Sequence, residues 1–379
     1  MSDATINGDV RPGFEPVRDA FTANFEQGLE IGASCAVTLD GEFVVDIWGG
    51  AADEQGRPWE RDTIANTFSV TKTMSSICVL VLADRGEVDL AAPVANYWPE
   101  FGSNGKDAIT VSHVMSHTSG VSGFDPAIPD PEFLYDWDAC CERLAGQTPW
   151  WTPGDGSGYH ALTQGYLQGE IVRRVTGHTI GSFFREEIAE PLGADFHIGL
   201  PESDDHRVAA LLPPSAALGE GSEPGSIAAR TSASSPLTGH EANTHPWRAA
   251  ELPAIGGIGN ARSVARVHAM MACGGTLDGV MIMSSAGVDA ANEEQARGLD
   301  RVNGVELVWG NGFALNSDIT PISPNERALF WAGWGGSFAV IDLDARMSVA
   351  YVMNKMADDP AADFRGGLLA ATALGCSPA

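Results

Sequence analysis

The hydrophobic positions change period along the chain, and each change marks an element. Val17, Phe21, Phe25 and Leu29 recur every four residues, which predicts an amphipathic helix near the start. Apolar runs over 34–39 and 43–48 flank Asp40-Gly41, the pattern of a hairpin, and Gly49-Gly50 ends it. A helical spacing takes over at about 70–84, with Met74, Ile77, Cys78 and Val81 as its apolar set and Gly86 placed to stop it. From about 90 to 246, short helical segments alternate with loops rich in Gly and Pro, such as 150–158. Within that stretch 159–175 reads as a helix, with Leu162, Tyr166, Leu167 and Ile171 along it and Gly177 after it. Residues 213–246, rich in Ser, Ala, Gly and Pro, read as a long ordered loop or lid. Strand character returns at 327–331, 337–341 and 347–353, and 364–374 reads as a closing helix.

Strands at both chain ends with helices between them predict an α+β fold. Its centre is an antiparallel sheet built from both termini and flanked by helices, with a mostly helical insertion. The expected division is an α/β domain over 1–90 and 247–379 and a helical domain with the loop or lid over 91–246.

Composition narrows the function. Asp and Glu total 50 against 22 Lys and Arg, a formal net charge of -28, so neither a nucleic acid nor an anionic membrane is an expected partner. The first 20 residues are polar and acidic and lack a secretory apolar core, and no run reaches 18 apolar residues. The six cysteines show no paired or zinc-type spacing. A reduced, cytoplasmic protein is expected. Only three lysines occur, Lys72, Lys106 and Lys355. Any chemistry that needs an amine has three candidates.

Ser69 and Lys72 stand three apart at the start of the 70–84 helical pattern. Residues at that spacing share a helix face, about 5–6 Å apart at Cβ. The amine can then reach the hydroxyl, and it becomes a base once burial or a neighbouring positive charge lowers its pKa. Ser103 and Lys106 repeat the spacing around Asn104-Gly105, a turn composition that does not hold a pair on a helix face. His113 and His117 are four apart, but the glutamate of a zinc-protease helix and a third ligand are missing, so no metal is expected. Gly-x-Ser-x-Gly, dinucleotide and P-loop motifs are absent.

Three blocks in chain order, Ser69-Val-Thr-Lys72, Tyr159-His-Ala161 and Trp334-Gly335-Gly336, give the chain a resemblance to the serine β-lactamase and penicillin-binding-protein superfamily. It is most similar to the class C branch and the family VIII carboxylesterases. The resemblance implies a β-lactamase-like fold. It also implies Ser69 as nucleophile, Lys72 and Tyr159 as the proton-transfer pair in an order left open, and an oxyanion hole from the backbone N–H groups of Ser69 and Ser337. Trp334, Gly335, Gly336 and His160 are expected at the substrate pocket, with Trp150, Trp151, Trp309 and Phe313 as further walls. Neither metal nor cofactor is required.

The family's lactamases and peptidases carry a lysine where Trp334 stands, and an asparagine at the place of Ala161. Losing that lysine removes a partner for a substrate carboxylate, so a small neutral ester is the expected substrate. A β-lactamase or D-amino-acid peptidase or amidase, an acyltransferase, and a noncatalytic binding protein of the same fold are the alternatives.

Overall fold

The computed structural model describes residues 4–234, 236–358 and 363–376. Its first strands are β1 (Ile6–Val10), β2 (Gly32–Leu39), β3 (Glu42–Gly50), β4 (Ala65–Asn66), β5 (Phe196–Ile198) and β6 (Gly257–Gly259). They are followed by β7 (Thr276–Leu277), β8 (Val280–Met281), β9 (Ala296–Leu299) and β10 (Glu306–Trp309). β11 (Ala314–Leu315), β12 (Ala328–Ala332), β13 (Phe338–Asp342) and β14 (Met347–Met353) complete the order.

Asp40 and Gly41 both take positive φ, 49° and 84°, as a two-residue hairpin between twisted strands requires. That hairpin joins the C-terminal strands through β2 and β14, which pair antiparallel from Ala33 opposite Met353 to Leu39 opposite Met347. The main sheet has nine antiparallel strands in the order β1-β3-β2-β14-β13-β12-β11-β10-β9. The expected α+β plan, with one sheet assembled from both ends of the chain, is the one found.

β14 is buried along its whole length because both sheet faces are covered. Its alternation separates the two layers. The Tyr351 ring lies 6.0 Å from the guanidinium of Arg365, on the helix Arg365–Gly375. Ser348, of opposite parity, donates to the Ala265 carbonyl at 2.8 Å on the helix Ala261–Ala272. A second, three-stranded sheet, β4-β6-β5, ties the start of the nucleophile segment to residues from two distant stretches of chain. One apolar core runs through sheet and helices alike.

The local elements differ from the sequence reading in three places. The first helix stops at Glu26, because Gly28 turns left-handed (φ 71°), and Leu29 is left 41% exposed. The helix expected from 159 begins at Thr163. Tyr159 and His160 use their N–H groups on Asp300 and His117 instead, which holds them in a loop. Residues 213–246 contain a short helix, Ile227–Ser234, a 3-10 turn, His240–Asn243, and the start of the helix His245–Ala249.

Arg365 is 5% exposed and knots the chain ends together. It donates to Glu30 Oε2 at 3.0 Å, to both Asp363 carboxylate oxygens, and to the carbonyls of Leu29, Gly335 and Lys355. Arg365→Ala leaves two buried carboxylates uncompensated, so an expected loss of about 3–5 kcal/mol should appear in denaturant unfolding.

Candidate active site

The nucleophile segment begins with strain. Phe68 has φ 45°, a left-handed conformation costly for an aromatic residue, and it is held there by ring contacts to Trp334 at 5.2 Å and Trp247 at 6.4 Å. A 3-10 turn, Phe68–Val70, then leads into the helix Thr71–Asp84. Residues 71–82 of that helix are buried on every side, and its polar side chains are satisfied locally. Ser75 donates to the Pro253 carbonyl, Ser76 accepts from Gln168, and Thr73 meets both the Val70 carbonyl and His268. Because the helix starts here, the Ser69 N–H has no hydrogen-bond acceptor among the described residues.

Lys72 lies one turn on, and its Nζ is 3.2 Å from Ser69 Oγ. It also donates to two backbone carbonyls, Ala161 at 2.7 Å and Ala254 at 2.9 Å. An amine has two hydrogens and one lone pair. With both hydrogens on carbonyls, the lone pair is left for the Ser69 proton. Burial pushes the lysine well below its usual range, with no carboxylate to oppose the shift. The Ala254 carbonyl is itself fixed by the close fit of the 254–259 segment. A Cβ on Gly257 would lie 2.5 Å from Thr71 Oγ1, and the Gly257 N–H donates to that same oxygen at 2.8 Å.

Lys106 provides a contrast inside the molecule. Its Nζ donates to three carbonyls, those of Ser103, Ala145 and Gln147, which suits the three hydrogens of an ammonium. Burial lowers it to about 8. The Ser103 hydroxyl turns away to the carbonyls of Glu100 and Ala145. That pair is structural.

Tyr159 reaches the nucleophile from a loop. Its ring centroid is 4.8 Å from Lys72 Nζ, and its hydroxyl interacts with Ser69 and accepts from Trp331 Nε1 at 3.0 Å. Burial is the main influence on the phenol and raises its pKa, while the Ser69 and Trp331 contacts act against that rise. His117 and Trp309 pack behind the ring, with centroids 4.8 and 6.2 Å away. In front of it opens a cleft of about 490 Å3 whose wall includes Ser69, Tyr159, Leu218, Leu237, Val305, Trp331 and Trp334.

The Beta-lactamase family matches residues 21–374. The chain belongs to the Beta-lactamase family. It is 36% identical to the esterase/beta-lactamase LipL of Mycobacterium tuberculosis (strain ATCC 25618 / H37Rv), across 93% of this chain and 83% of that one. The crystal structure of a family VIII carboxylesterase superposes with a TM-score of 0.91 at 43% identity, covering 98% of this chain and 100% of the other. A penicillin-binding protein homologue from Caulobacter crescentus gives 0.89 at 40%, over 98% and 99%.

Several expected residues of this Beta-lactamase-family site stand elsewhere. Ser337 is fully buried beyond the turn that follows β12, where its carbonyl accepts from the Gly333 N–H at 2.6 Å. β12 pairs with β13 throughout, but with β11 only at Leu329 and Phe330. The free edge beyond them faces the nucleophile, and a Cβ on Gly333 would lie 2.2 Å from the Thr67 carbonyl. Trp334 lines the cleft, and its N–H has no acceptor among the described residues. Trp334, and not Ser337, therefore brings its backbone to the cleft beside Ser69.

Gly335 and Gly336 turn toward Met356 and Arg365, away from the cleft. His160 is buried, with Nδ1 donating to the Gly158 carbonyl and Nε2 accepting from Ser119, and burial pushes it down to about 3. It lies outside the cleft wall, and the Ala161 carbonyl beside it is what holds Lys72. Trp309 and Phe313 are core residues behind Tyr159 and β12. Trp150 stacks under Arg230 at 4.1 Å, and Trp151 donates to the Gly156 carbonyl and packs on Gly158, so both anchor loops. His113 and His117 diverge: His113 accepts from Thr110 N–H in a helix cap, and His117 from His160 N–H.

The sequence reading missed Trp331. Trp331-Ala332-Gly333, on the strand beside the nucleophile, occupies the place expected of Trp334-Gly335-Gly336. Asp300 was also missed, since a lone aspartate in a hairpin turn carries no pattern.

An unfolded chain takes up a proton at Lys72 below about pH 10.4, while the folded chain resists it. The buried amine therefore subtracts stability as pH falls from there toward its folded pKa. Relative to Lys72→Met, the wild-type protein should gain thermal stability between pH 7 and pH 10; a pH-independent difference would contradict the depressed pKa.

Proposed function

We propose that this chain is a carboxylesterase that cleaves small neutral esters through an acyl-enzyme on Ser69. The cleft carries the reading. Its wall is apolar apart from Ser69, Tyr159 and Asn303, and among the described residues no lysine or arginine lines it. A substrate carboxylate would lose its hydration there without a counter-ion, whereas an apolar acyl chain gains about 25 cal/mol per Å2 buried. The names of the family VIII and LipL relatives support the same reading.

In this scheme Lys72 takes the Ser69 proton as Oγ attacks the ester carbonyl. The Ser69 and Trp334 N–H groups receive the oxyanion. Tyr159 gives its proton to the leaving alcohol, and the Lys72 ammonium restores it to the phenolate. The opposite pKa directions at the two residues support this order, an amine easily freed of its proton beside a phenol that keeps its own. Trp331 steadies the transient phenolate through its N–H. Water then attacks the acyl-enzyme by the same route.

Parallel kinetics on p-nitrophenyl butyrate, a chromogenic cephalosporin and a D-amino-acid amide test the substrate class. The ester should have the highest kcat/KM, and preferential turnover of the cephalosporin or amide would overturn the assignment. Intact-mass analysis should place one phosphonate adduct on Ser69, and Ser69→Ala should cost at least about 10⁴-fold in kcat. Trp331→Phe, which removes one hydrogen bond, should cost about 10-fold in kcat with the fold intact.

A further inference from the structure

Asp300 is fully buried, and no arginine, lysine or histidine pairs with it among the described residues. One of its oxygens, Oδ1, accepts three backbone N–H groups: Tyr159 at 2.9 Å, Val302 at 3.0 Å and Asn303 at 2.9 Å. Its other oxygen, Oδ2, is buried without a hydrogen-bond partner. A buried carboxylate normally finds a cation or fills its remaining acceptor sites. This one holds a catalytic loop instead.

The contacts around it run in two directions. Toward the nucleophile, Asp300 Oδ1 holds the backbone of Tyr159, and the Arg301 N–H donates to the Ser157 carbonyl at 3.0 Å. The turn between β9 and β10 is thus pinned twice to the 157–159 loop. Toward the substrate, the same turn is closed by Asp300 N–H to the Val305 carbonyl and Gly304 N–H to the Asp300 carbonyl, both 2.9 Å. Asn303 and Val305 of this turn, and Leu307 after it, form one wall of the cleft. A single carboxylate oxygen therefore joins the tyrosine that handles the proton to the wall that meets the substrate.

Resting on the Ser69 esterase reading, we infer that Asp300 is a positioning residue: it fixes Tyr159 against Ser69 and couples that placement to the Asn303–Val305 wall of the acyl pocket. Its charge adds a second effect. The Asp300 carboxylate opposes ionisation of the neighbouring phenol, in the same direction as burial. Tyr159 thus keeps the proton that the leaving alcohol needs.

Asp300→Asn retains an oxygen acceptor at nearly the same volume and removes the charge. Asp300→Ala removes both. The test compares kcat and KM across pH for p-nitrophenyl acetate and p-nitrophenyl hexanoate in both variants, alone and combined with Tyr159→Phe. Phosphonate labelling of Ser69 in the wild type runs alongside.

Asp300→Ala is expected to lower kcat by about 10- to 100-fold, as for the loss of a charge-assisted hydrogen bond, and to change the hexanoate-to-acetate ratio of KM. In the Tyr159→Phe background the same change should cost less than in the wild type, because part of its effect passes through the Tyr159 hydroxyl. Asp300→Asn should restore most of kcat while moving the alkaline limb of its profile to lower pH, since the phenol then ionises more easily. A kcat loss that is equal in both backgrounds, with an unmoved alkaline limb, would overturn the positioning role while Ser69 still labels. Absence of wild-type labelling would overturn both this role and the esterase reading.

Discussion

A lysine amine stripped of water sets the terms for the rest of this protein. Keeping an unpaired ammonium in a buried site costs several kcal/mol, so the fold surrounds Lys72 with groups that suit an amine: two carbonyls, one hydroxyl and an aromatic ring. These groups come from three stretches of chain, the Tyr159 ring and the Ala161 carbonyl from the same one. Ala161 comes from the tyrosine loop, Ala254 from the segment locked onto Thr71, and Ser69 from the strained turn. A shift in any of them would turn the lone pair away from the serine. The helix that carries Lys72 is accordingly buried on all sides, where it cannot fray into water.

The second constraint is the half-paired strand β12. β11 contributes only two residues to the sheet, so the edge from Trp331 to Trp334 is left open beside the nucleophile. That edge supplies an indole N–H for the phenol, a backbone N–H at Trp334 without an acceptor among the described residues, and a broad apolar wall. The knot at Arg365 bonds to the Gly335 carbonyl just behind the same turn. Strongly acidic composition and a cleft wall with no lysine or arginine among the described residues act in the same sense, because both disfavour anionic substrates.

Much of this architecture was legible in the sequence because it rests on local rules. The Asp40-Gly41 hairpin, the apolar run of β14 and the Ser69–Lys72 spacing each follow from chain geometry over a few residues. Ser103 and Lys106 could be set aside on the same ground, since Asn104-Gly105 forces a turn. What stayed hidden depends on contacts between distant segments. No local pattern shows that the Ala161 and Ala254 carbonyls would converge on one amine from 89 and 182 residues away. Tyr159 reads as helical by spacing, yet Asp300 and His117 pull its loop out of the helix. Two tryptophan-glycine patterns overlap in 331–336, and only the sheet edge shows which residues border the cleft. The aromatic walls expected at Trp150, Trp151, Trp309 and Phe313 showed the opposite problem. Their residue type suggested a pocket, but their neighbours make them anchors and core.

With three lysines in the chain, the state of the central amine can be read directly. In protein labelled with 15N and 13C at lysine, the ε-carbon and ζ-nitrogen shifts should give three titration curves. The curve that disappears in Lys72→Met is predicted to titrate well below the ordinary lysine value. A Lys72 signal that titrates above pH 10, as in a solvent-exposed lysine, would contradict the account of how Ser69 is activated.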